Sequence, residues 1–299
     1  MALTSSPYME ALPPQAFLQK TINLYFYRYQ NAGDLFGPWM MYEMFNVRAL
    51  WKQQGEAEMV AVGSILDHFA TARQHPRISD EPIKVWGSGY LHAEPFVIPL
   101  CRELNVLALR GPLTKERVEA TIGSTIDCPL ADPGLLASRL PGLPYVHKDI
   151  ELGIIPHYQE KCGDFFYHAK SRIPKAEVLD VQMDPRRFIA QLRRCKTILT
   201  TSLHGAIFAD SFGIPNRWCV LNSREPWWDY KFYDYYGSYG LDMKPLNLDD
   251  EPTPTPEAIK DSYQIDPAVV TQKQDALIMC YPYKYGSCEP DYPRNSYRN

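Results

Sequence analysis

Ser202, His204 and Gly205 stand in "TTSLHGAIFADSFGIP", residues 200 to 215, where an apolar run suited to a buried strand passes into a short apolar helix. A helix start presents unpaired N–H groups and a partial positive charge, so it suits an anion, and glycine lets the anion approach the backbone. Histidine titrates near neutral pH and can give or take a proton. Together the three read as an anion site with a proton-transferring group attached. The bland alternative, a histidine that caps its own helix or fills a buried hydrogen bond, stays open on this stretch alone.

Similar signals recur at the ends of other predicted strands. Asn31, Gly33 and Asp34 follow the first in "YQNAGDLFGPWMM"; Gly87, Ser88 and Gly89 end "VWGSG"; Arg110 ends "LALRGPLT"; His157 ends "GIIPHY". A Gly-Asp turn or a lone histidine is usually structural. A set of them at matching topological positions points to one ligand site, because open parallel sheets bind ligands beyond the carboxyl ends of their strands, and two such sheets put the site in the cleft between them.

The elements that must position these groups are short apolar runs alternating with helical stretches, the pattern of an α/β fold. Predicted strands are "NLYFY" (23–27), "MVAVGSIL" (59–66), "IKVWGSG" (83–89) and "VLALR" (106–110), then 151–158, 176–181, 197–201 and 217–221. A helix over 112–121 is assigned Thr114 as its cap and Gly123 beyond its end. Asp184 and Pro185 open another, with Phe188, Ile189 and Leu192 on one face. Gly213 stops the short helix after His204, and a late helix falls within 255–275. The layout predicts two Rossmann-like domains, residues 20–148 and 149–275, facing a cleft, with a tyrosine- and proline-rich tail, 276–299, packed back on the surface.

Composition limits the partners. The chain has 299 residues, 45% apolar and 22% charged, with a net charge of −4 and no basic block, which argues against nucleic acid. Neither a leader nor a membrane span is visible, and seven cysteines without CxxC spacing read as buried thiols in a reducing compartment. No Asp, His or Cys cluster has metal-ligand spacing.

The segments "NAGDLFGPWM", "VAVGSIL", "VWGSGYL", "LALRGPLT", "LADPGLL", "LGIIPHYQEK" and "TTSLHGAIFADSFGIP", taken in order, resemble the successive motifs of polysaccharide pyruvyl transferases, especially the bacterial exopolysaccharide branch. The resemblance implies an architecture similar to glycosyltransferase B and transfer of the pyruvyl group of phosphoenolpyruvate onto two hydroxyls of a sugar as a cyclic ketal, with no cofactor. Where many relatives carry arginine two positions before the histidine, this chain has Ser202. A lipid-linked acceptor would be met at the inner membrane surface by a cytoplasmic protein that does not span it.

That chemistry assigns provisional roles. Phosphoenolpyruvate carries a carboxylate and a phosphate, which call for cations or aimed N–H groups. Arg110, Lys161, Ser202, Gly205 and the start of the helix after His204 are candidates, with Asn31, Asp34, Gly87 and Ser88 beside them. Protonation of the methylene carbon and attack by two hydroxyls need an acid and a base. His204 suits the donor phosphate or the acid, and His157 the base toward the acceptor. Trp227, Trp228, Asp229, Asp234 and Tyr235 in "PWWDYKFYDYYGSY" supply aromatic faces and carboxylates for a sugar, or else pack one domain against the other. Two rival readings share the pattern: a nucleotide-sugar glycosyltransferase and a glycan-binding protein without catalysis.

Overall fold

The computed structural model describes residues 20–71, 79–93, 102–222, 226–250 and 252–283. Strands β1 (Lys20–Tyr25), β2 (Val47–Trp51), β3 (Met59–Val60), β4 (Ile83–Trp86) and β5 (Leu104–Ala108) form a parallel sheet in the order β2-β1-β3-β4-β5. Strands β6 (Ile150–Ile155), β7 (Ala176–Val178), β8 (Cys195–Thr200), β9 (Asn216–Val220) and β10 (Leu246–Asn247) form a second parallel sheet, β10-β9-β8-β6-β7. Read from β7, the second sheet repeats the order of the first. The winding therefore reverses between β1 and β3 in one sheet and between β6 and β8 in the other. Those reversals are where an open sheet leaves a crevice at its strand ends.

Helices cover both faces, which is why the strands are apolar nearly throughout. Ile22 and Leu24 of β1 face one core cluster while Tyr25 faces another, and Ile150 and Ile155 of β6 are separated in the same way from Leu152 and Ile154. Helix α1 (Phe36–Phe45) follows β1, α2 (Asp67–Thr71) follows β3, and α3 (Pro112–Ile122) follows β5. In the second half come α4 (Asp164–Arg172), α5 (Pro185–Leu192), α6 (Leu203–Ser211), α7 (Tyr230–Gly237), α8 (Pro256–Ser262) and α9 (Pro267–Cys280). Asp184 caps α5 by accepting from the N–H groups of Arg186 and Arg187, with Pro185 at its first position.

The largest core cluster runs through both sheets. Phe36 of α1 meets Phe208 of α6 with ring centroids 5.0 Å apart, and the 3-10 helix Pro133–Arg139 lies against α1, α6 and α9. Helix α9 returns to the first sheet, where the Leu277 carbonyl accepts from Trp86 Nε1 at 3.0 Å. Tyr281 then stacks on Phe45 at 3.9 Å. Of the predicted tail, 276–280 complete α9, Tyr281 and Tyr283 are buried, and 284–299 lie outside the described residues.

Three local expectations change. Thr114 is not a cap: Gly111 holds that position, and Thr114 lies inside α3 with its N–H and hydroxyl both donating to Asp234. Strand β2 was not predicted, since "VRALW" follows α1 directly with only Asn46, in the left-handed region at φ 52°, as the turn. The predicted strand 59–66 shortens to two residues, and the rest becomes the loop that carries Ser64.

Candidate active site

A cavity of about 220 Å³ opens between the two sheets, lined from the ends of both reversal pairs. Tyr27, Asn31 and Asp34 come from the loop after β1; Ser64, Ile65 and His68 from the segment after β3; His157, Tyr158 and Gln159 from after β6; Ser202, Leu203 and His204 from after β8. Leu91, after β4, and Trp227, Trp228 and Lys231, after β9, complete the wall. Strand order selects these residues. The two strands on either side of each reversal deliver their loops into the shared crevice.

The loop after β1 is held from both halves. Asn31 Oδ1 accepts from the Gly33 N–H at 2.9 Å, the Ala32 N–H donates to the Val181 carbonyl at 2.6 Å, and Gln30 Nε2 donates to the Gln182 carbonyl at 2.8 Å. Gly33 is packed against the imidazole of His204, and a Cβ there would collide with Nδ1. The turn is glycine because the histidine occupies the space. The ring of His204 also stacks on Phe208, with centroids 5.8 Å apart, and its buried Nε2 has no hydrogen-bond partner among the described residues.

The seam behaves as a helix start should. Ser202 is extended at the N-cap of α6, yet its hydroxyl makes no capping bond, so the first turn keeps its N–H groups uncapped beside the cavity. Gly205 is a correction: its missing Cβ faces Thr200 Oγ1 and Ile155, inside the fold. The glycine lets α6 pack closely on β6 and β8, and it does not line the cavity.

Burial sets the ionisation of two groups in opposite directions. His204 is pulled down to about 3, first by burial and then by the charges of Lys231 and Arg110, so its imidazole is neutral at ordinary pH. Asp34 is pushed up to about 7 by burial, against the opposing charge of Lys231 and with that of Asp132 added. A carboxyl group poised near neutrality is the usual condition of an acid or base in catalysis. His68, whose Nδ1 meets the Tyr25 hydroxyl at 2.7 Å, is held below the ordinary histidine value by burial.

His157 is placed by Thr201, whose Oγ1 accepts its backbone N–H at 2.8 Å, and Thr201 in turn donates to Glu160 Oε2. Its ring lies in a continuous aromatic rim. Tyr29 meets Tyr158 at 4.8 Å, Tyr158 meets His157 at 4.4 Å, His157 meets Trp228 at 4.6 Å, Trp228 meets Trp227 at 5.2 Å and Trp227 meets His92 at 4.5 Å. Tyr27, Tyr29 and Trp227 remain more than a third exposed, so the rim can still be covered by a ligand.

Several predicted site residues lie elsewhere. Arg110 is fully buried and pairs with Asp234, Nε to Oδ2 at 2.8 Å, while its other nitrogens donate to Ser64 Oγ and the Tyr90 carbonyl. It sits behind the Ser64 wall and offers no donor to the cavity, and Asp234, taken for an acceptor contact, is its counter-charge. Tyr235 is buried and donates to Asp210 Oδ2 at 2.7 Å. Ser88 Oγ donates to the Gly63 carbonyl, and Gly87, at φ 79°, leaves room for Pro133. Lys161 pairs with Asp180 at 3.2 Å, away from the cavity, and Asp229 does not line it. The structure brings together Asn31, Asp34, His157, Ser202, His204, Trp227 and Trp228.

Sequence reasoning missed Lys231, His68, Tyr27, Tyr158 and Ser64. One signal for Lys231 was present: it follows Trp228 by three and Trp227 by four positions, the spacing that shares a helical face. Among the described residues no group of three or more His, Cys, Asp or Glu could hold a metal ion, and no helix is long and apolar enough to cross a membrane.

Two parallel sheets of matching order, meeting at their reversals around a cavity lined by titratable groups and aromatic rings, define an α/β protein of two Rossmann-like halves. A model of the polysaccharide pyruvyl transferases matches residues 17–223, and the chain belongs to that family. It is 28% identical over 226 residues, 73% of this chain and 74% of the relative, to the uncharacterized protein L143 of Acanthamoeba polyphaga mimivirus. It is 22% identical over 218 residues, 73% of this chain and 64% of the relative, to the succinoglycan biosynthesis protein ExoV of Rhizobium meliloti (strain 1021). No solved structure matches. Family membership supports a pyruvyltransferase role.

Proposed function

We propose that the chain transfers the pyruvyl group of phosphoenolpyruvate onto two hydroxyls of a glycan as a cyclic ketal, in a two-domain arrangement like that of glycosyltransferase B. The observation that carries the reading is the convergence on one cavity of an uncapped helix start, a histidine Nε2 with no hydrogen-bond partner among the described residues and a carboxyl group raised to near neutrality. The aromatic rim suits the C–H faces of a sugar, and the likeness to a succinoglycan biosynthesis protein favours a polysaccharide as acceptor.

The chemistry follows from those groups. Asp34, protonated below about pH 7, gives its proton to the methylene carbon, and one sugar hydroxyl adds to C2. The C2–O bond to phosphate then breaks, with His204 and the start of α6 holding the departing anion, and the second hydroxyl closes the ketal. The two hydroxyl protons balance the step: one restores Asp34 and one leaves with phosphate. In this reading His157, at the aromatic rim, takes the first of them from the attacking hydroxyl and hands it on, so that it ends the cycle unchanged.

Incubating the protein with phosphoenolpyruvate and a polysaccharide acceptor is expected to release phosphate one for one with new methyl ketal groups, read by proton NMR. Consumption of a nucleotide sugar with no phosphoenolpyruvate turnover would replace this reading by the glycosyltransferase one. Binding of glycan with neither turnover would leave a lectin.

The raised pKa of Asp34 makes a separate prediction. A carboxyl group whose folded value lies above its ordinary one stabilises the fold below that ordinary value, and the contribution is lost as pH rises through about 7. Comparing wild type with Asp34→Asn cancels the other buried carboxyls. The melting temperature of the wild type relative to the variant should fall between pH 5 and pH 8. A flat difference would mean that Asp34 titrates as an ordinary exposed carboxylate.

A further inference from the structure

We infer that Lys231 is the cation that holds the phosphate of the donor. The inference deepens the reading above and rests on it for the identity of the anion. A phosphorylated donor brings several negative charges into a cavity where Asp34 already supplies an acid, so a positive charge must face it. The sequence offers Arg110 and Lys161 for that task, and neither lines the cavity: Arg110 lies behind its wall against Asp234 and Lys161 outside it beside Asp180. Lys231, in the first turn of α7, lines the cavity and is only 7% exposed.

Its position within the cavity points to the phosphate end. Lys231 lines the cavity together with Asp34, from the first sheet, and His204, from the start of α6, so it shares the cavity with groups of both walls. The ammonium lies over aromatic faces, with Nζ 5.6 Å from the Trp228 ring centre and 5.9 Å from that of Phe232. A phosphate seated between Lys231 and the uncapped turn at Leu203 and His204 would meet a point charge on one side and aimed N–H groups on the other. Its arrival also favours the protonated form of His204, because an anion opposes the two cations that now depress it.

The test titrates wild type, Lys231→Met and Lys231→Arg with three probes: phosphoenolpyruvate, inorganic phosphate and pyruvate. Lys231→Met should weaken phosphoenolpyruvate and phosphate at least tenfold and leave pyruvate unchanged, while Lys231→Arg should stay within a few-fold of wild type. In the assay the donor KM should rise more than kcat falls. Equal affinity of wild type and Lys231→Met for phosphoenolpyruvate and phosphate overturns the inference and leaves the pyruvyltransferase reading standing. Loss of pyruvate binding alone overturns it too, by moving Lys231 to the carboxylate. A wild type that binds neither phosphoenolpyruvate nor phosphate removes the donor assignment itself. Should the methionine variant fail to fold, wild type answers the question by mass spectrometry: saturating phosphoenolpyruvate must protect Lys231 from reductive methylation, and unprotected modification rejects the role.

Discussion

His204→Ala should fold with a melting temperature within a few degrees of wild type while turnover falls by about a hundredfold or more, the scale for losing a group that transfers a proton or holds a leaving anion. The two effects separate because of how the ring is held. Its Nε2 has no hydrogen-bond partner among the described residues, so deleting it orphans nothing on that side. Its remaining contacts are packing, with Phe208 and with the backbone of Gly33. Burial of a titratable imidazole also disfavours its charged form, so removing it relieves a cost that grows as pH falls from about 6.5 toward 3. Glutamine at the same position can still donate to a phosphate but cannot exchange a proton near neutrality, and should recover part of the loss if anion holding dominates. Gly33→Ala supplies an independent check. Its Cβ would push the imidazole out of place, so activity should drop as in the histidine variant although the histidine is present. An active, stable Gly33→Ala protein, or a His204→Ala protein that is unstable yet fully active per folded molecule, would leave His204 as a packing residue.

How much of this could be read beforehand depends on what a strand reveals. The alternation of apolar runs and helices, occurring twice, was legible because parallel strands covered on both faces are apolar throughout, as in β6 and β8. Their ends were legible too, and each carried a polar residue. Strand order was not, because it depends on which helix crosses which face, and strand order decides which ends share a crevice. Asn31, Asp34, His157 and His204 follow the strands at the reversals and line the cavity; Gly87, Ser88 and Arg110 follow β4 and β5, farther along the sheet, and are absorbed into packing. The aromatic segment divided on the same principle. Trp227 and Trp228 face the cavity, while the helical turns after them put Phe232 against Trp218, with centroids 4.5 Å apart, and bury Tyr235 and Tyr236 in the core. A run of rings without a clear strand or helix period says that something apolar lies near, and only the fold says on which side.

Removing one member of the Arg110–Asp234 pair should cost stability and spare the donor site. Both side chains have no exposure, and Asp234 is saturated: Oδ2 accepts from Arg110 Nε and from Thr114 Oγ1, and Oδ1 accepts from the Thr114 N–H at 2.8 Å. The network ties α7 of the second half to the start of α3 and to the loop carrying Ser64 in the first. Breaking a buried pair leaves an uncompensated charge and costs about 3–5 kcal/mol. For a chain of this size that is roughly 10 °C in melting temperature, at about 2–4 °C per kcal/mol. Asp234→Ala is therefore expected to unfold far earlier in urea. Arg110→Lys should also lose stability, since a point charge cannot reproduce three donations from a planar fork, but its KM for phosphoenolpyruvate measured in the cold should stay within a few-fold of wild type. Replacing both partners, as Arg110→Met with Asp234→Leu, removes the stranded charge and should recover much of the loss. The backbone N–H of Thr114 and the Tyr90 carbonyl would still lack partners, so recovery should be incomplete. A strong rise in donor KM in a stable Arg110→Lys protein would put the guanidinium back in contact with the donor, and a double variant no better than the worse single one would show that hydrogen bonding, rather than charge, holds the two halves together here.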